Sequence, residues 1–180
     1  ILTYDDAMQR FGSDKPDMRF GMELVDLDDV AKGNGFSIFD NAESIVAINV
    51  KGGNTYTRKE LDAFTDWVKR PQIGALGLIY CRVNEDGSLK SSVDKFFDET
   101  KLKLWADQCA SETGDLILVL NGKTEKVRKQ MNELRLHVGE LQGLRPKDKF
   151  AACWVVDFPL VEYDEESGKW HAMHHPFTSP

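Results

Sequence analysis

The chain has 180 residues, 41% of them apolar and 29% charged, which is the composition of a folded soluble protein of one domain or two small ones with enough apolar side chains to bury a core. Its formal charge of −7, from 23 Lys+Arg against 30 Asp+Glu, repels a phosphate backbone and argues against an autonomous nucleic-acid binder. The longest apolar runs, Leu116 to Leu120 and Phe150 to Val156, fall far short of the roughly 20 residues a membrane span requires, so neither a membrane anchor nor a signal peptide is expected.

Thr3 can cap a short helix that carries Asp5 and Asp6 in its first turn, favourable at the positive end of the helix dipole, and Gly12 would end it. The string GSDKPD, residues 12 to 17, begins where that helix stops. Residues 21 to 31 are acidic and weakly periodic, and GNG at 33 to 35 marks a break. Phe36 to Asp40 and Ile45 to Lys51 read as two strands of a hairpin turning near Asn41. Thr57 and Glu60 then form a capping-box pair, and Leu61, Phe64 and Val68 follow at helical spacing until Pro71. Leu76 to Val83 reads as a strand ending in the turn NEDG, with Ser88 to Ser92 pairing back.

Leu102, Trp105 and Cys109 give residues 98 to 112 one apolar helical face, closed by Gly114. The run Leu116 to Leu120 predicts a central strand buried on both faces. A helix over 124 to 142 follows, its inner face marked by Val127, Met131, Leu134, Val138 and Leu141. Its Lys126, Arg128, Lys129 and Arg135 alternate with Glu125, Glu133 and Glu140, which reads as a solvated, salt-bridged face rather than an RNA track. The middle is therefore expected to be β-β-α-β-β-α-β-α, a two-layer α+β domain with a mainly antiparallel or mixed sheet over 27–148. Residues 144 to 149 form a polar linker. Beyond it, a long strand from Phe150 to Tyr163, a turn through DEESG and a strand from Lys169 to Phe177 form a hairpin too small to stand without a covering layer.

His171, His174, His175 and Asp164 are residue types that bind metals, but alternation along a strand separates them. His171 and His175 would share one face about 13 Å apart, with His174 on the other, so no metal site is expected. Asp157 sits inside WVVDFP, where an unpaired carboxylate is costly to bury, so it lies near the solvent edge or is held by a donor. Cys81, Cys109 and Cys153 lie far apart among apolar neighbours and read as small buried hydrophobes, unpaired as in a reducing cytosol. On turn chemistry alone GSDKPD is a turn. The absence of an initiating methionine and the stop straight after MHHPFTSP make both ends read as cut.

The strings TYDDAMQRFGSDKPDMRFGMEL at 3 to 24 and WVVDFPLVEYDEESGKWHAMHHPFTSP at 154 to 180 together resemble bacterial-type aspartyl-tRNA synthetase, a class II aminoacyl-tRNA synthetase. In that family a domain also found in the B subunit of the tRNA-dependent amidotransferase is inserted between the two corresponding segments. The resemblance implies catalytic-domain edge segments at 1–26 and 149–180 around an insertion domain at 27–148. It implies a cytoplasmic, homodimeric parent enzyme that activates aspartate with ATP and Mg2+ and passes it to the 3′-terminal adenosine of tRNA(Asp). It implies aspartate binding by His174, the first histidine of MHHPF, with His175 its neighbour or a secondary contact. Ser13, Asp14 and Lys15 would lie at the active-site mouth, contacting the tRNA end or the loop that closes the site. The chain has neither an FRDE-type string nor a GLDR-type string, so this piece is expected to be inactive alone. A stand-alone module that abuts the tRNA acceptor arm, or a structural spacer, remains open.

Overall fold

The computed structural model describes residues 1–164 and 167–173. The N-terminal helix forms as its caps direct: β1 (Leu2–Thr3) leads into α1 (Tyr4–Phe11), Thr3 Oγ1 accepts the Asp6 N–H at 3.1 Å, and Gly12 closes the helix at φ +68°. After β2 (Val25–Asp26), α2 (Asp28–Ala31) and α3 (Ser37–Asp40) come β3 (Ser44–Val50) and α4 (Arg58–Val68), which begins in the expected capping box of Thr57 and Glu60. Then follow β4 (Ile79–Val83), β5 (Leu89–Ser91), α5 (Glu99–Gln108), β6 (Leu116–Gly122) and α6 (Thr124–Leu141).

The five strands β2 to β6 make one antiparallel sheet in the order β2-β3-β6-β4-β5. Its centre is the β3/β6 pair, in register from Ser44↔Gly122 to Val50↔Leu116. Alternation along these strands divides the core in two. Val46, Ile48, Val50, Leu116, Leu118 and Leu120 face α4 and α6, while Ile45, Ala47, Cys81, Ile117 and Val119 face α2, α3 and α5. Each fully buried aliphatic contributes roughly 1.5–3 kcal/mol, so both layers hold the sheet.

The α+β class and antiparallel sheet stand as expected, and helices cover both faces of the sheet instead of one. The second face is covered by α2, α3 and α5, and of these Ser37–Asp40 is helix where a strand was expected over Phe36 to Asp40. Phe36 and Phe39, three apart, both enter the core while Ile38 stays exposed, a helical spacing that a five-residue window also lets pass for alternation. No hairpin to β3 forms there; the antiparallel neighbour is Val25–Asp26, paired Val25↔Ala47 and Asp26↔Val46, so the sheet's edge strand lies just ahead of residue 27. The long strand expected from Phe150 to Tyr163 is also broken. β7 (Val155–Val156) pairs in parallel with β1, after which Asp157 turns the chain in the left-handed region at φ +58° and Pro159 offers no N–H. The hairpin proper is β8 (Val161–Asp164) against β9 (Lys169–Ala172). The expected turn through DEESG and the continuation of β9 to Phe177 run onto residues outside those described.

Where α4 and α6 meet, His137 lies flat on Trp67, with ring centroids 4.3 Å apart, and Phe64 stands edge-on to it. Burial first, then the charge of Arg70, pulls its pKa below the ordinary 6.5. A base harder to protonate when folded gives stability that is complete above the unfolded pKa and is lost as pH falls through 6.5 toward the folded value. Urea midpoints measured at about pH 7 and about pH 5 should fall less in His137→Phe than in the parent chain; parallel falls would locate the pH sensitivity elsewhere.

Candidate functional site

The loop after α1 is fastened to α6 by groups at both of its ends. Gly12, buried, sits so close to the helix that a Cβ there would lie 2.1 Å from the Arg128 carbonyl oxygen and 3.3 Å from the Asn132 Cβ. Arg128 in turn donates to the Gln9 carbonyl at 2.8 Å and is ion-paired with Asp26. At the far end, Asp17 accepts from Arg19 Nε and Nη2 at 2.9 and 2.7 Å and from Arg145 Nε at 3.0 Å. Hydrogen bonding from Arg19 foremost, with help from Arg145, holds the Asp17 carboxyl well below the usual carboxylate range. Arg19 also donates to the Pro146 carbonyl at 2.8 Å, so the expected linker at 144 to 149 is an anchored segment.

Between these ends stands Arg135, fully buried. Its Nε donates to the Met22 carbonyl at 3.0 Å, and its Nη2 reaches the carbonyls of Asp17, Phe20 and Gly21 at 2.9, 3.0 and 2.8 Å. The guanidinium lies 4.0 Å from the Phe20 ring centroid and 5.0 Å from that of Phe11. Burial pushes its pKa down to about 10, which leaves it charged at neutral pH. Met22 is held at φ +61°, a conformation unusual for a non-glycine residue, with its carbonyl on that same guanidinium.

Residues 2–4 and 154–158 meet beside this loop. Leu2 and Thr3 pair with Val155 and Val156, Leu2 N–H donates to the Trp154 carbonyl at 2.8 Å, and Tyr4 packs on Phe158 with centroids 5.2 Å apart. A cleft of about 340 Å³ opens there, lined among others by Tyr4, Gly12, Ser13, Asp14, Asn132 and Met173. Ser13 and Asp14 are half-buried on its wall, whereas Lys15 is exposed and its N–H donates to Ser13 Oγ at 3.1 Å. Met173 is the last described residue before the expected aspartate ligands; His174 and His175 lie outside the described residues.

His171 is on β9, opposite Glu162 in register, 3.1 Å from Ser167 Oγ and 3.8 Å from an Asp164 carboxylate oxygen. Among the described residues no group of three or more His, Cys, Asp or Glu is placed to share a metal ion, and no helix is long and apolar enough to cross a membrane. Asp157 is exposed, the solvent-edge placement of the two expected. Cys81 and Cys109 are buried, their thiols pushed up to about 12 chiefly by burial, but Cys153 is exposed, in an irregular stretch ahead of β7.

The reading of α6's basic residues as a solvated face fails for two of the four. Arg128 is ion-paired and mostly covered, and Arg135 is interior. The sequence holds a signal for Arg135 in hindsight: it follows Leu134, stands four residues after Met131 and three before Val138, and so flanks the apolar stripe. Nothing in the sequence places Phe11 and Phe20 on either side of it.

A family model described as GAD domain matches residues 37–131. The chain is 58% identical over 180 residues to an aspartate-tRNA ligase of Porphyromonas gingivalis, covering 99% of this chain and 31% of that protein. It is 54% identical over 179 residues to the aspartate-tRNA ligase of Flavobacterium psychrophilum and 55% identical over 180 to that of Parabacteroides distasonis, again over 99% of this chain and 31% of each relative. It thus spans about a third of the length of these curated relatives.

Proposed function

This chain belongs to the GAD domain family, and from that premise we propose that it is the stretch of a bacterial-type aspartate-tRNA ligase in which that domain, residues 27–148, is inserted between catalytic-domain edges at 1–26 and 149–180. The observation that carries this reading is the extent of the likeness. It runs over 99% of the chain, well past residues 37–131 on both sides. The adjacency of the two edges, Leu2 beside Val155 and Ser13 in one cleft with Met173, supports it.

On this reading the parent enzyme, a cytoplasmic homodimer, joins aspartate to ATP with Mg2+, releases pyrophosphate and passes the aspartyl group to tRNA(Asp). His174 contributes an imidazole that donates a hydrogen bond to the substrate carboxylate, with His175 beside it. Ser13, Asp14 and Lys15 lie at the mouth of the active site and contact the tRNA end or the loop that closes over it. Adenylate formation needs fixed positive charge around the phosphates, and the arginine-bearing FRDE-type and GLDR-type strings that would supply it lie outside these 180 residues.

Aspartate-dependent exchange of labelled pyrophosphate into ATP is therefore expected from the full-length ligase and absent, above a no-enzyme blank, from the purified 180-residue chain. Exchange by the chain alone would contradict the division of labour proposed here. Acceptor-arm binding by the isolated domain gains no support from α6, because Arg128 and Arg135 are engaged internally and the net charge is −7.

A further inference from the structure

Resting on the ligase reading above, we propose that Arg135 is a positioning residue for tRNA charging: from inside the inserted domain it fixes the path of residues 12–22 and thereby the height of the Ser13–Lys15 rim at the cleft. The hydrogen-bond acceptors of Arg135 named above are all backbone carbonyls of residues 17 to 22. A buried guanidinium is expensive to desolvate, and a well-packed apolar side chain can match it for stability. Nε and the two hydrogens of Nη2 serve these four carbonyls, while Nη1 is buried with no hydrogen-bond partner among the described residues; an apolar side chain offers no donor to any of the four.

The neighbouring residues are shaped for the same task. Phe20 covers one face of the guanidinium and rests on Gly139, where a Cβ would stand 2.7 Å from the ring's Cζ. Asp17 is locked by Arg19 and Arg145 on one side of the rim, and Gly12 is pressed on the Arg128 carbonyl on the other. Ser13, Asp14 and Lys15 are the short span between two fixed points. Phe20 belongs to neither buried cluster of the sheet domain, so its truncation tests the loop without opening that core.

The test uses the full-length ligase carrying Phe20→Ala or Arg135→Lys, with tRNA charging, aspartate-dependent pyrophosphate exchange and amide hydrogen exchange measured on each. Expected are faster amide exchange in residues 12–22, a fall of about tenfold or more in kcat/KM for tRNA, and pyrophosphate exchange within about twofold of the parent. A merely structural role predicts instead that both activities fall together with the folded fraction, and that result overturns the proposal. So does unchanged charging in a variant whose loop exchanges faster, or loop protection that neither variant alters. No pyrophosphate exchange by the unmodified full-length protein would overturn the ligase reading and this inference with it, an outcome distinct from an active parent with fully active variants.

Discussion

Replacing Gly12 with alanine should detach residues 1–24 from α6 while the five-stranded sheet stays folded. The expected cost at that docked edge is roughly 2–4 kcal/mol: about 1 kcal/mol for a Cβ in the left-handed region and the remainder for relieving an overlap. The overlap is with backbone, the Arg128 carbonyl at 2.1 Å, so no side-chain rotation relieves it. The penalty cannot exceed the free energy of undocking, since the segment can leave the helix instead of straining it. Native-state hydrogen exchange should therefore show lost protection in Tyr4–Phe11, with Ser44–Val50 and Leu116–Gly122 little changed. Gly87→Ala is the matched control: Gly87 has φ +80° and no atom within 4 Å of its would-be Cβ. It should cost only about 1 kcal/mol. Equal costs at the two positions would show that the contact with α6 is not what makes Gly12 necessary.

A second large effect is expected on the other face of the sheet. Trp105 is fully buried on α5, with ring centroids 4.7 Å from Phe97 and 5.8 Å from Phe39. Trp105→Ala removes the largest ring of that aromatic cluster and should cost about 3–5 kcal/mol, a large part of the roughly 5–15 kcal/mol that holds a domain together. Trp105 Nε1 is buried without a hydrogen-bond partner among the described residues. Trp105→Phe should accordingly cost no more than about 1.5 kcal/mol, since it deletes an unpaired donor while keeping most of the ring contacts. Chemical denaturation of both variants checks this. A phenylalanine variant as unstable as the alanine one would mean the indole N–H does have a partner.

Much of the sheet domain was legible because its signals are local and strong. The Thr57/Glu60 capping box, the Gly12 terminator, the buried run from Leu116 and the stripe Val127, Met131, Leu134 and Val138 each depend on residues within one or two turns of each other. Phe36–Asp40 was not legible, because five residues with apolar side chains at 36, 38 and 39 satisfy two periods at once. Nor was β2 (Val25–Asp26): a two-residue strand has no period, and only pairing with Ala47 and Val46 makes it one. Asp157 and Pro159 interrupt an apolar run that otherwise reads as one strand.

The sequence by itself determined the α+β class, the helices α1, α4, α5 and α6, the central strands, and, through long strings at both ends, the ligase resemblance that the comparisons bear out over 99% of the chain. Those properties follow from short-range periodicity, capping and residue identity, which are written along the chain. Tertiary structure alone decided that Arg135 is interior, that Asp17 is gripped by two arginines, that Gly12 must be glycine for its contact with α6 as well as for its turn, and that Ser13 and Met173 share a cleft. Each of those joins residues more than a hundred positions apart, apart from the local Asp17 and Arg19 pair. No local period encodes such a meeting. It exists only once packing has closed the long loop between them, and it persists because a buried charge or carbonyl without its partner would be costly to keep.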